Sequence, residues 1–177
     1  MKKLKNRELE RISIEEYKTA TKTPITLILE DVRSALNVGS AFRTADAFRI
    51  EKVILCGITA QPPHRDIQRT ALGATDSVEW QHISTIEAAI QSLKEQNYHI
   101  IAIEQANPKT LLNDFKTEDS QKYALIFGNE VKGISEKAMN LIDTCIEIPQ
   151  IGTKHSLNIS VSIGVVLWDF FVKIQAD

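Results

Sequence analysis

Short runs of β-branched and other apolar residues, each about the length of a strand, alternate along this chain with stretches whose apolar residues recur at helical spacing. That alternation constrains the fold more than any other feature, because parallel strands need crossover connections and helices supply them. Strands are expected near Ile25–Glu30, Lys52–Cys56, Ser77–His82, Tyr98–Glu104, Lys122–Phe127 and Thr144–Ile148, giving an α/β fold with a mostly parallel sheet flanked by helices. With 177 residues, 43% hydrophobic and 25% charged, the chain suits one core that needs no covalent staples. Pro62-Pro63 and Pro108 mark loops rather than a boundary, and no repeat or low-complexity tract appears. The reading is a single domain over residues 21–177 behind an N-terminal helical extension over 1–20.

A formal net charge of −2 and a pI near 6.1 exclude a global positive field, so any nucleic-acid contact has to come from a local patch. Cys56 and Cys145 each lie inside an apolar strand, as core thiols of a reduced, cytoplasmic protein do. His64, His82, His99 and His155 lack metal-ligand spacing, and no metal is expected. The basic start is not followed by the apolar run of a signal peptide, and the stretch from Ile159 to Val172 is too short to span a bilayer.

The first helix is expected near residues 7–18, packing Leu9, Ile12 and Tyr17 on the body as an amphipathic lid. A second starts about Asn37 and reaches Phe48, with Ala41, Phe42, Ala45 and Phe48 as its stripe. Ser84 with Glu87 suggests a capping box for a helix that Asn97 ends, and Ser135 caps a short helix holding Ala138. The final segment, where strand-like alternation from Leu157 to Ile163 gives way to continuous apolar residues, is read as one buried helix.

The usual dinucleotide loop, nucleotide-triphosphate loop and serine-nucleophile elbow are all missing. What remains is polar residues at the carboxyl ends of apolar strands, where open α/β sheets place ligands. Asn37 stands at the expected start of a helix, where an anion is favoured, with Arg43 inside it; taken alone, a cap and a surface ion pair are the better explanation of the two. Gly128-Asn129-Glu130 follows a strand and could be a ligand turn or a solvated one. Thr153-Lys154-His155-Ser156 and Asn158 are harder to account for, since core packing explains Leu157 and Ile159 but not this polar succession.

Taken in order, Asn37-x-Gly39-x3-Arg43, Gly128-Asn129-Glu130-x2-Gly133 and Ser156-Leu157-Asn158-x-Ser160-Val161 resemble the three motifs of the SpoU (TrmH-like) RNA ribose methyltransferases of the SPOUT superfamily. The resemblance runs from about residue 25 to 172. It implies a sheet whose C-terminal segment is threaded into a trefoil knot, a homodimer, and S-adenosyl-L-methionine as cofactor. By position, Ile103, Glu104, Gly128, Ile148 and Leu157 would line the cofactor pocket, and Asn37, Arg43, Glu130, Ser156 and Asn158 the reacting site. The implied reaction carries a methyl group to a ribose 2′-hydroxyl.

A guanidinium is a poor base at neutral pH, so the expectation is that Arg43, held by Glu130, stabilises a phosphate or the developing alkoxide. RNA contact is assigned to Arg33, Arg65, Arg69, Lys132 and Lys154, with Lys2, Lys3, Lys5, Arg7 and Arg49 as further cations; Arg65 and Arg69 share a helical face. A chain with little beyond the core fits tRNA better than rRNA. Two other readings stay open: a knotted RNA-binding protein without catalysis, and an α/β enzyme for a small phosphorylated substrate.

Overall fold

A computed structural model of the chain describes residues 1–176 apart from Asn6, Arg7 and Glu10. Its sheet is wholly parallel and contains β1 (Thr23–Glu30), β2 (Ile50–Cys56), β3 (Glu79–Ile83), β4 (Tyr98–Ile103), β5 (Thr110–Leu111), β6 (Lys122–Phe127) and β7 (Thr144–Glu147). The strand order is β3-β2-β1-β6-β4-β7-β5. Every expected strand is present, and only β5 is new; two residues long, it leaves no periodic signal. The helices are α1 (Ile14–Thr19), α2 (Ala35–Ala47), α3 (Arg65–Ala71), α4 (Ala74–Ser77), α5 (Ile86–Lys94), α6 (Glu136–Met139) and α7 (Ile159–Ala176).

Both faces of the sheet are covered, which is why its strands read as continuous apolar runs. On one face Leu27, Leu29 and Leu125 pack with Phe42 of α2 and Ile163 and Phe170 of α7. On the other Ile28, Ile54, Ile100 and Ile126 pack with Ile90 of α5 and Ala138 of α6. The chain runs outward from β1 to β3 and then restarts at β4, so the carboxyl ends of β1 and β6 flank a topological switch point, where such sheets bind ligands.

The threading at the other end follows from pairing. Ile146 of β7 faces Ile103 of β4 on one side and Thr110 of β5 on the other, so a late strand lies between two strands joined directly by residues 104–109. That connection has to cross β7, and Gln105 Nε2 donates to His155 O at 2.6 Å, holding the segment that leaves β7 against it. A knotted C-terminal region requires this arrangement.

Several local expectations are corrected. The α-helix described in the extension starts at Ile14, where Ser13 and Glu16 close a capping box, and among the described residues Tyr17 is the extension's one buried side chain; Leu9 and Ile12 are exposed, where an amphipathic lid would bury them. Of that expected helix, Arg7 and Glu10 lie outside the described residues. α2 starts two residues before Asn37, because Ser34 Oγ accepts from Asn37 N and caps it. Thr85 rather than Ser84 caps α5, while Ser135 caps α6 as expected. α7 is not fully buried: Val161, Val165, Trp168 and Val172, one stripe along the helix, are 39–57% exposed.

α2 and α3 approach closely at Gly39. A Cβ there would collide with the carbonyl oxygen of Ile67, a backbone atom with no freedom to yield. Thr70 Oγ1 donates to Leu36 O at 2.9 Å beside the same contact. Gly39→Ala is therefore expected to destabilise the protein by about 1–3 kcal/mol, as overpacking does, read as a lower midpoint in denaturant unfolding.

Candidate active site

The carboxyl ends of β4, β6 and β7 open onto a cleft of about 490 Å³, within the range of small-molecule sites. Ile103, Glu104, Gly128, Ile148 and Leu157, the five residues expected at a cofactor, all border it. So do Glu130, Ser156 and Asn158 from the expected reacting set.

The three motifs meet through side chains. The Glu130 carboxylate accepts from the backbone N–H of Arg33 (2.9 Å) and Ser34 (3.0 Å) and from Asn37 Nδ2 (3.1 Å). Asn37 Oδ1 in turn accepts from Asn158 Nδ2 at 3.5 Å. Asn158 Oδ1 accepts from Ser160 N and Oγ, and its carbonyl from Ser162 N, so this residue also caps α7. One amide, Asn37, thus links the loop after β1, the turn after β6 and the start of α7.

Partial burial pushes the Glu130 carboxyl upward. The N–H groups of Arg33, of Glu130 itself and of Ser34, with the Asn37 amide, outweigh that and hold it below the ordinary carboxylate range. A carboxylate so fully engaged is a poor proton acceptor. Its part is to hold the geometry.

The turn after β6 is braced from below by two further carboxylates. Glu104 Oε2 accepts from Ile134 N at 3.1 Å, and the buried Glu30, 4% exposed, accepts from Ser135 N at 3.0 Å. Asn129 Oδ1 accepts from Val131 N and Lys132 N, and its Nδ2 donates to Asp31 O at 2.7 Å. The turn folds back so tightly, through paired Asn129 and Gly133 backbones, that a Cβ on Gly128 would meet Gly133 backbone atoms. Sequence gives Asn129 as a member of the second motif, with no role of its own, and does not give Glu30 or Asp31 as site residues. A charged pair ending an otherwise apolar strand, Leu29-Glu30-Asp31, was the available signal.

Arg43 is a correction. It makes no ion pair with Glu130 and does not border this cleft; it lines a second one of about 820 Å³ between α1, α2 and α4. It lies six positions along the helix from Asn37, a rotation of about 240° at 3.6 residues per turn, so the two side chains leave α2 on different sides. Ser156 is exposed at the cleft and makes no hydrogen bond among the described residues. Arg33, Lys132 and Lys154 are exposed on the loops around the cleft, and Arg65 and Arg69 on α3. Cys56 and Cys145 are free and buried in β2 and β7; burial, then Glu30 and Asp31, pushes the Cys56 thiol up to about 12.

The cleft suits a cationic, adenosine-sized ligand. Glu104, Glu130 and Glu147 border it, Glu147 being paired with Lys109, and the Gly128 turn exposes backbone where side chains are sterically barred.

Residues 24–168 match the SpoU rRNA Methylase family. A 23S rRNA (guanosine-2′-O-)-methyltransferase of Neisseria meningitidis is 30% identical over 144 residues, covering 81% of this chain and 56% of that protein. An uncharacterized tRNA/rRNA methyltransferase of Borreliella burgdorferi is 32% identical over 143 residues, covering 81% and 61%. The chain spans roughly three fifths of the length of these relatives. The crystal structure of an AdoMet-bound rRNA methyltransferase from Sinorhizobium meliloti, 24% identical, shares the fold with a TM-score of 0.79 over 85% of this chain and 56% of that one.

Because Glu130 is held ionised, its ties are complete above the ordinary carboxylate pKa and are lost as pH falls through the lower folded-state value. Glu130→Ala should speed amide exchange at Arg33 and Ser34 about tenfold at pH 7, with core strands unchanged. Exchange mass spectrometry reads both.

Proposed function

We propose that this chain, which belongs to the SpoU rRNA Methylase family, transfers a methyl group from S-adenosylmethionine to a ribose 2′-hydroxyl of RNA. The observation that carries the reading is the hydrogen-bonded chain Asn158–Asn37–Glu130, which draws the three motifs to the mouth of one cleft. The cofactor supplies an electrophilic methyl on a sulfonium. Ile103, Glu104, Gly128, Ile148 and Leu157 would hold it, and the surrounding carboxylates favour its positive charge.

Catalysis then rests mainly on positioning. The Asn37 and Asn158 amides fix the rim beside which a ribose has to lie, and Glu130 fixes Asn37. The 2′-hydroxyl has to lose a proton, and Arg43, always protonated, is suited to stabilise the negative charge that forms rather than to take the proton. Within one chain Arg43 faces the other cleft, so it serves this reaction only where a second copy brings the two clefts together.

A homodimer is therefore part of the proposal, and the uncovered stripe Val161, Val165, Trp168 and Val172 on α7 is its contact surface. The spacing i, i+4, i+7, i+11 is that of a helix packing along a partner helix. Trp168 and Phe171 adjoin Phe48 at the end of α2, the helix that carries Arg43. A reduced, cytoplasmic setting completes the proposal, with both thiols buried and free. The preference for tRNA over rRNA finds no support in the relatives, whose names specify 23S rRNA or both classes, so the substrate is given as RNA.

Incubation with labelled cofactor and total RNA, followed by alkaline hydrolysis, should leave label in resistant dinucleotides. Label confined to bases, or no transfer, would refute ribose methylation. Arg43→Ala should lower kcat by about 10²-fold or more while cofactor affinity stays unchanged. Trp168→Asp should shift the protein from dimer to monomer in sedimentation and abolish transfer.

A further inference from the structure

The second cleft, about 820 Å³, is larger than the one assigned to the cofactor, and its border is cationic on one side and apolar on the other. Arg11, Arg43 and Arg49 line it. None of these guanidinium groups makes a hydrogen bond or ion pair among the described residues. Among the described residues Asp46 is the one carboxylate that borders the cleft, and its Oδ1 is engaged by the Ser77 hydroxyl at 2.5 Å.

Ile12, Ile14 and Leu72 form the apolar border and are 49%, 41% and 66% exposed. Tyr17, also on the border and 4% exposed, carries a buried hydroxyl with no hydrogen-bond partner among the described residues. In a chain of net charge −2 such a concentration of unpaired arginines is not a general property of the surface.

We infer that this cleft binds a nucleotide of the RNA strand next to the one that is methylated. Its phosphate is gripped by Arg11 and Arg49 together with Arg43, and its base lies against Ile12, Ile14 and Leu72. Guanidinium forks match phosphate oxygens in pairs, and an aliphatic wall covers any base face without reading its edges, so the pocket fits single-stranded RNA without demanding a sequence. Arg11, Ile12, Ile14 and Tyr17 come from the N-terminal segment, which gives that segment a function: it is a wall of the substrate site. The inference rests on the RNA methyltransferase reading above.

The test measures affinity of the full chain for a fluorescent single-stranded RNA of mixed sequence across a salt series, for wild type and for Arg11→Gln combined with Arg49→Gln. Loss of two phosphate contacts should weaken binding about tenfold at low salt and reduce the log–log salt slope by about 1.4, near 0.7 per contact. A second variant, Leu72→Glu, places a carboxylate on the apolar wall and should weaken binding with little change of fold. Thermal unfolding midpoints and cofactor titrations should match wild type in both, which separates a lost contact from a lost structure.

Unchanged affinity and slope in both variants would overturn the assignment while leaving the methyltransferase reading intact. Competition by a mononucleotide at concentrations close to those of the oligonucleotide would make the occupant a free nucleotide and also overturn it. Failure of wild type to bind any RNA would bring down the underlying reading as well.

Discussion

The structure depends on one constraint: the loops that leave β1 and β6 carry backbone N–H groups, part-buried at Ile134 and Ser135, that have to find acceptors. Three glutamates meet it. Glu30 takes Ser135 N, Glu104 takes Ile134 N, and Glu130 takes Arg33 N and Ser34 N, each reaching from one strand end to the loop of another. An unsatisfied buried amide costs about 1–3 kcal/mol, and a charged acceptor makes the stronger bond, so these carboxylates decide where the loops lie. The cleft is the space left between loops fixed in this way. Its anionic character is a consequence of how it is held, and it favours a cationic ligand.

The division into two clefts follows from helix geometry. α2 presents Asn37 to the strand-end network and Arg43 to the groove beside α1, with α7 packed along it and an apolar stripe turned outward. On the proposed reading a single chain therefore holds both halves of a reaction centre on different sides of one helix. Association along α7 is the economical way to join them, since the stripe otherwise leaves a large apolar surface in water.

The fold was legible because strand runs buried on both faces give a strong signal and helices between them force parallel pairing. β5 escaped because Thr110-Leu111 pairs only through tertiary context. Likewise Ser34 and Thr85 took the caps that Asn37 and Ser84 were assigned, each by offering its hydroxyl to an N–H three residues on. In the site, Gly128, Glu130, Ser156 and Asn158 were readable as polar or glycine residues where packing wanted apolar ones, while Leu157 read as core and came only with the motif. Glu30 was not, because a charge at a strand end reads as the edge of the core until coordinates show it 4% exposed. The Arg43–Glu130 pair failed for a plain reason: motif order gives no information about which side of a helix a residue leaves from.

The central claim is that segments remote in sequence close together around one cofactor. Hydrogen-exchange mass spectrometry with and without S-adenosylmethionine tests it most directly. The account predicts new protection in three places, residues 103–105, 128–134 and 148–158, with none along β2 or β3. Protection in one segment only, or at the edge of the sheet formed by β3, would contradict it.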